Sequence, residues 1–559
     1  MQEFPVDYVV FHSNSMKILL FWQNWSRSER FLYLTAFGLL KISLLLLLFF
    51  HYRGIENSIE WKVLSELDEV PVKLDSLQVS GQQSARTVES LFLLGKTYIL
   101  KEQFVPVQID LPEWLGRGYL AGVLAGFVLL LAAISGLPRR WYIGMMMLVI
   151  TLLSLSHLEM LQLFGTDNTL GFGLVAAVVV FVSYYLHAFR ENMPMVQRVF
   201  LFSGVIAVLV GVFSVGAQAP VLSLTATSYS LLPMILLSVL FIGWLSVEII
   251  AGFVYVVTNS RTGFGKTSLY NFLFLGGLYM FSIYLLYLKV TRQTEAAFWY
   301  FSPFVLYGAS LLLGIWSFAK RTEAFLPFRE IGAWLYLGLG LITTTVMAFV
   351  LFTHNNSFIE VFEDLIVYSQ LCIGTLFIAY IGLNFWPLFK QGKAVHKVMY
   401  KPMRFLQSQA WMIGGMAWVA LMALHRFYTI DQAQAGYYNS LGDLHTVTKE
   451  WTVAGGYYQQ ALDTDFQNHK SAFALASLAL RQGDAALAGA FFQQALQKDP
   501  TPQAYAGLGQ TLLNENLFFD AIFNLRKGLT TFPKSGELQN NLGFLYSRTA
   551  IADSAYYYL

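Results

Sequence analysis

The 559-residue chain has one cysteine, Cys372. That excludes an internal disulfide and a cysteine-rich metal site. Charge is also scarce. Asp, Glu, Lys and Arg make up 13% of the residues, against about 25% in soluble domains. So little charge cannot coat the water-exposed surface of a soluble protein this long. The 36 basic and 34 acidic residues nearly cancel, leaving a net charge of +2, and no dense basic patch marks a nucleic-acid binder. No His-Glu-x-x-His, paired-cysteine or serine-elbow motif occurs. The chain does have apolar residues in abundance, at 56%, with a mean hydropathy of +0.52. That excludes disorder for most of its length.

Crossing about 30 Å of hydrocarbon takes roughly 20 apolar residues. Eleven segments qualify: 31–51, 119–137, 141–163, 170–189, 199–217, 232–257, 268–288, 299–318, 332–353, 366–386 and 408–424. With the N-terminus inside, seventeen Lys and Arg fall in the inner segments, against Lys289 and Arg292 in the short outer loops and Arg426 just past the last span. This asymmetry is the positive-inside pattern. It predicts a multi-pass protein with a cytoplasmic N-terminus and a C-terminus outside; the lack of eukaryotic targeting features and the compact loops suggest a bacterial inner membrane, which puts the C-terminus in a periplasm. The apolar residues Phe4, Val9, Phe11, Ile18, Phe21 and Trp22 within 1–30 predict a cytoplasmic helix lying on the inner surface.

Residues 52–118 form the long outer loop. Val105, Val107, Ile109 and Leu111 alternate with other residues, and Val70, Val72 and Leu74 do the same, the period of a half-buried strand. We expect a small β-containing subdomain packed against the span ends. Residues 119–424 form the bundle of about ten further helices. Beyond them the composition turns rich in Ala, Gln, Asn and Tyr.

Residues 435–559 repeat. Leu441-Gly442, Leu475-Ala476, Leu508-Gly509 and Leu542-Gly543 recur at intervals of 34, 33 and 34 residues. Ala454, Ala488, Ala521 and Ala555 keep the same intervals, as do Tyr458, Phe492, Leu525 and Leu559. This pattern resembles the tetratricopeptide repeat (TPR), in which small residues sit where two helices cross and large ones fill between them. The expected fold is therefore all-α: a polytopic helical membrane bundle with a small β-containing outer loop and a C-terminal TPR α-solenoid. The apolar end, Ala555-Tyr-Tyr-Tyr-Leu559, lacks the polar face of a solenoid cap, so we expect it to continue into further chain or to dock on a partner.

The resemblance implies a groove lined by the first helix of each unit. Its positions would be Asn439, Asp443, Phe473, Ser477, Arg481, Gln510, Asn514, Asn540, Phe544 and Arg548. Such grooves bind extended peptides or helices. The partners expected are other envelope or membrane proteins, with lipid around the bundle and no nucleic acid.

Ionisable groups at membrane depth are costly. Lys41 and Glu248 each lie ~15 Å from the inner end of their spans at 1.5 Å rise per residue. They are expected to form an intramembrane ion pair that locks two helices. Glu56 and Glu60 lie in the first outer loop, Glu159 near the outer end of the third span, and Asp167 in the outside turn that follows. A long first outer loop, acidic residues there and in the second, and C-terminal repeats together resemble polytopic glycosyltransferases that use lipid-linked sugars. That resemblance implies carboxylates converging on an outward cavity as the catalytic set. The first reading remains a scaffold, with no metal and no cofactor, and the sugar transferase is its alternative.

Overall fold

The structure, a computed structural model, describes residues 21–77, 91–165, 169–259, 267–293, 300–322, 331–401, 405–549 and 552–558. The first twenty residues of the expected surface helix lie outside them, as does Asp167. The described chain is helical but for one β-hairpin and an isolated bridge. It divides into two compact units. One comprises Met1–Asn57 and Asp110–Asp465, the other Ser58–Ile109 and Phe466–Leu559. This cuts the chain elsewhere than at the expected boundaries. The first helical pair belongs with the apolar helices, and the outer hairpin belongs with the remaining pairs.

In the first unit, α1 (Arg27–Arg53) begins at Ser26, whose side chain accepts from Glu29 N while Glu29 reaches back to the Ser26 amide. This reciprocal cap satisfies two orphan amides of the first turn. The helix stops at Gly54, whose φ of 56° suits a residue without Cβ. There follow α2 (Glu113–Ser135), α3 (Arg139–Leu155), α4 (Leu170–Phe189), α5 (Met195–Gly216), α6 (Leu222–Leu245), α7 (Glu248–Thr258), α8 (Ser268–Val290), α9 (Pro303–Thr322), α10 (Ala333–Phe352), α11 (Asn356–Ser369), α12 (Thr375–Lys390) and α13 (Gln407–Leu424).

Among the described residues, eight helical stretches are long and apolar enough to cross a membrane, or nine if α13 and the next helix are counted as one span bent by 75°. Eleven were expected. The difference lies in α3, 17 residues long and ended by the turn at His157, in the 16-residue apolar stretch Pro303–Phe318 of α9, and in the bend after Leu424.

The core runs along α2, α6 and α10, with Leu130–Ile134, Leu337, Ile342, Val346 and Met347 almost wholly enclosed. Glycine lets two of these helices touch. A Cβ on Gly126 of α2 would lie 2.8 Å from the Gly338 carbonyl of α10, so only hydrogen fits. Close approach of this kind is how helices gain packing where lipid removes the hydrophobic drive between them.

The chain then turns into α14 (Tyr428–Val447) and α15 (Trp451–Thr464). Polar bonds tie this pair to the bundle. Asn355 Nδ2 donates to the Gly436 carbonyl at 2.8 Å, Thr429 Oγ1 to Asp364 at 2.7 Å, and Ser357 Oγ to Asp465 at 2.8 Å.

In the second unit, β1 (Ile59–Leu77) and β2 (Leu91–Gln108) form one antiparallel ladder, from Ile59 opposite Gln108 to Leu77 opposite Leu91, with an irregularity between Lys73 and Asp75. The expected strand around Val105 thus ends at Gln108, before Ile109 and Leu111. Six helices follow: α16 (His469–Gln482), α17 (Ala485–Lys498), α18 (Pro502–Asn514), α19 (Phe518–Thr531), α20 (Gly536–Arg548) and α21 (Ala552–Tyr558). Asn468, Asp484, Thr501 and Ser535 each cap a helix with a side-chain oxygen. The repeated small residues sit where large ones press. In the first unit a Cβ on Gly442 would meet Tyr458 at 2.6 Å; in the second, one on Gly507 would meet Phe492 at 2.6 Å and one on Gly509 would meet Leu525 at 3.2 Å.

Candidate functional site

The ten expected groove positions do not form one open surface. In the first unit, Asn439 and Asp443 are buried. Asn439 donates to Asn355 at 3.4 Å, and Asp443 accepts from the Tyr458 hydroxyl at 2.6 Å. They knit the helical pair together and to the bundle. In the second unit, Phe473 and Phe544 are buried as well, Phe473 with its ring edge-on to Phe492. An aromatic side chain on the first helix of a pair satisfies the core before it serves a ligand. Ser477 and Gln510 are half-buried, and Arg481 and Asn514 are exposed.

Asn540 and Arg548 face the hairpin. Strand β2 lies against α16, α18 and α20, the first helix of each successive pair in this unit. Asn541, adjacent to the expected Asn540, holds the contact. Its Oδ1 accepts from the Phe104 amide at 2.7 Å and its Nδ2 donates to the Phe104 carbonyl at 2.7 Å. In an antiparallel ladder both backbone groups of one residue point to the same side, so Phe104 is clamped on the edge away from β1. Asn540 Nδ2 donates to the Glu102 carbonyl at 2.7 Å. Arg548 pairs with Glu66 and lies over the Phe544 ring, 5.2 Å from its centroid. Trp61 packs on the apolar cluster that includes Tyr505, Leu538, Leu542 and Leu545. Beside the ion pair an open recess of about 400 Å³ is lined by Glu66, Leu67, Lys101, Phe518, Ser547 and Arg548. The face expected to take an extended chain already holds one, and it belongs to the same protein.

His469 is enclosed at the start of α16, with its ring stacked on Phe473 and its Nε2 3.0 Å from Thr501 Oγ1. Burial lowers its pKa from 6.5 to about 4, so it folds as a neutral ring.

The expected Lys41–Glu248 pair does not form. Lys41 is exposed, with its ammonium over the Phe37 ring at 4.4 Å. Glu248 is buried and meets Arg321, whose Nη2 lies 2.6 Å from Glu248 Oε1. Depth along two spans set the first pairing, whereas packing of α7 against α9 sets the actual one. The carboxylate opens α7 just after the break at Ser246-Val247, where the positive end of a helix dipole favours it. The guanidinium stacks near Trp244 and Trp411, with centroids 4.8 and 5.6 Å away. By distance the two groups are an ion pair, but neither finds a well-aligned hydrogen bond among the described residues.

Of the four acidic residues read as an alternative catalytic set, Glu56 and Glu60 are exposed and Glu159 is held by His157 Nδ1 at 2.9 Å. Asp167 lies outside the described residues. Among the described residues no three His, Cys, Asp or Glu side chains converge as a metal site.

No protein-family model matches the chain, and the curated proteins contain no significant match to it.

Proposed function

We propose that this protein is an integral membrane scaffold whose C-terminal TPR array recruits other envelope proteins through extended segments. One observation supports this most: the two-point grip of Asn541 on the Phe104 backbone, on the face formed by first helices. A side-chain amide that holds N–H and C=O together recognises extended chain whatever its side chains. The bundle would fix the array beside the membrane and raise the effective concentration of a bound partner. The charge asymmetry of the loops supports an array on the outer side of the membrane, and the compact loops without eukaryotic targeting features support a bacterial inner membrane, which makes that side the periplasm. The sugar transferase is weaker, since of its described carboxylates Glu56 and Glu60 are exposed and Glu159 is engaged by a neighbouring histidine.

A photo-crosslinker placed at Arg481, Gln510 or Asn514 in native membranes tests the reading. Stoichiometric adducts with one or a few envelope proteins are expected. Adducts with lipid alone, or copurification of a lipid-pyrophosphate sugar without protein partners, would support the transferase instead. Protease access to the tail in spheroplasts, and its loss in inside-out vesicles, checks the orientation.

A further inference from the structure

The hairpin has two edges, and the side-chain amides of the array grip one of them. Phe104 turns its N–H and C=O away from β1, toward Asn541, and Glu102 turns its C=O the same way, toward Asn540. Residues opposite each other in an antiparallel ladder exchange either both bonds or neither. Phe104 and Glu102 lie opposite Val63 and Ser65. These pairs therefore exchange none, and Val63 and Ser65 turn their backbone groups away from β2. The bond from Ile109 N to the Ser58 carbonyl at 2.9 Å sets the same phase, with the even positions of β1 facing β2.

Trp61, Val63, Ser65 and Leu67 thus present N–H and C=O pairs along the outer edge of β1. Among the described residues nothing bonds to the backbone of Val63, Ser65 or Leu67 on that side. All three residues are exposed, Leu67 at 73%. Pro71 and Pro106 also fall at outward positions, where the missing N–H costs the ladder nothing. Pro71 closes the open stretch after Glu69.

An edge of alternating donors and acceptors takes an extended chain. We propose that its occupant is a second copy of this protein, β1 pairing antiparallel with β1 to make one four-stranded sheet. The sequence is self-complementary about Ser65. A two-fold axis there sets Ser65 opposite Ser65, and Val63 of each copy opposite Leu67 of the other, so one apolar pair forms twice. Lys62 and Asp68, opposite in charge, take facing register positions on both sides of the axis. Neighbouring registers fare worse. An axis at Leu64 sets Glu60 against Asp68 and offers Lys62 only Glu66, which Arg548 already holds. An axis at Glu66 sets Glu66 against itself, and like charges directly opposite destabilise a sheet. An axis between residues would pair outward backbone groups with inward ones. The same patch serves both copies, so the contact closes as a dimer. A lone two-stranded ladder is marginal, and added strands steady it. The amides of the array hold the other edge, so the failure of this pairing would leave the scaffold reading standing.

The test is disulfide mapping of the full chain in native membranes, in a Cys372→Ala background. Ser65→Cys should oxidise to a dimer, because residues paired across such a contact lie about 5.5 Å apart at Cα, within reach of a disulfide. Val63→Cys and Leu67→Cys should each stay monomeric alone, with like positions about 13 Å apart along the strand. Expressed together, the two chains should crosslink. Glu69→Cys, about 26 Å from its counterpart, controls for random collision. Ser65→Pro, added to the Val63→Cys and Leu67→Cys chains, removes one outward N–H per copy and no bond of the hairpin. It should lower their adduct about tenfold or more. Lys62→Glu should lower it as well, and Lys62→Glu with Asp68→Lys should restore it. Hydrogen exchange in Lys101–Gln108 verifies that each variant keeps its hairpin. A Ser65→Cys chain that stays monomeric overturns the proposal, as does a Glu69→Cys dimer of equal yield. So does an adduct unchanged by Ser65→Pro. Capture of a different protein by Ser65→Cys in place of the dimer gives the edge to another partner and overturns it equally.

Discussion

The clamp on Phe104 allows a quantitative test. Asn541→Ala removes two bonds of 2.7 Å at once. A net hydrogen bond is worth about 1 kcal/mol, so the pair contributes about 2 kcal/mol. That corresponds to about a thirtyfold rise in the opening of the hairpin from the helices. Asn540→Ala removes one bond, to Glu102, and should raise opening only about fivefold. Asn541→Asp keeps an acceptor for the Phe104 amide but sets a carboxylate against the Phe104 carbonyl, so it should do at least as much damage as alanine. Native-state hydrogen exchange of the full chain, read by mass spectrometry on peptides covering Trp61–Leu67 and Lys101–Gln108, reports the opening directly. If Asn541→Ala changes protection there by less than about threefold while overall unfolding stays unchanged, the clamp does not hold the strand. The argument for chain recognition by this face then fails.

Three further outcomes follow from the packing. Arg321→Ala or Glu248→Ala leaves a buried charge without its partner and should cost about 3–5 kcal/mol in thermal or denaturant unfolding. Glu248→Leu with Arg321→Met should recover most of that, and Lys41→Ala should leave unfolding unchanged. Gly507→Val drives a side chain into Phe492 and should destabilise the helical pairs by about 1–3 kcal/mol, seen as faster exchange in Ala485–Asn514. His469 carries a pKa of about 4 when folded and 6.5 when exposed. The unfolded state therefore binds the extra proton between these values. Its contribution to stability is complete above pH 6.5 and falls by about 3 kcal/mol as pH drops to about 4. His469→Phe should flatten the dependence of local exchange in α16 on pH over that window.

The repeats were legible because packing writes them twice. A small residue such as Gly442, and a large one such as Tyr458 that presses on it, must recur together wherever two helices cross. Spans were legible as apolar length but not as a count. The turn that ends α3 at His157 and the bend after Leu424 cost only a few residues of pattern and leave hydropathy intact. The ion partner of Glu248 was hidden for a different reason. Arg321 already had an explanation as one of the inner positive charges, and nothing local shows that it folds inward over Trp244. Asn541 was missed by one position, since helix phase carries an error of about a residue at either end.

The hairpin also has a mechanical consequence. At about 3.3 Å per residue, the 19 residues of β1 reach ~60 Å. The helices hold it at Glu66, Glu102 and Phe104, in the half nearer Ile59 and Gln108. A pull applied across the far end, at Leu77 and Leu91, loads the ladder one rung at a time, like a zip, and should need little force. The separation stalls where Glu102 and Phe104 are gripped from the side. A stretching experiment would register this as a single late step, and Asn541→Ala would erase it.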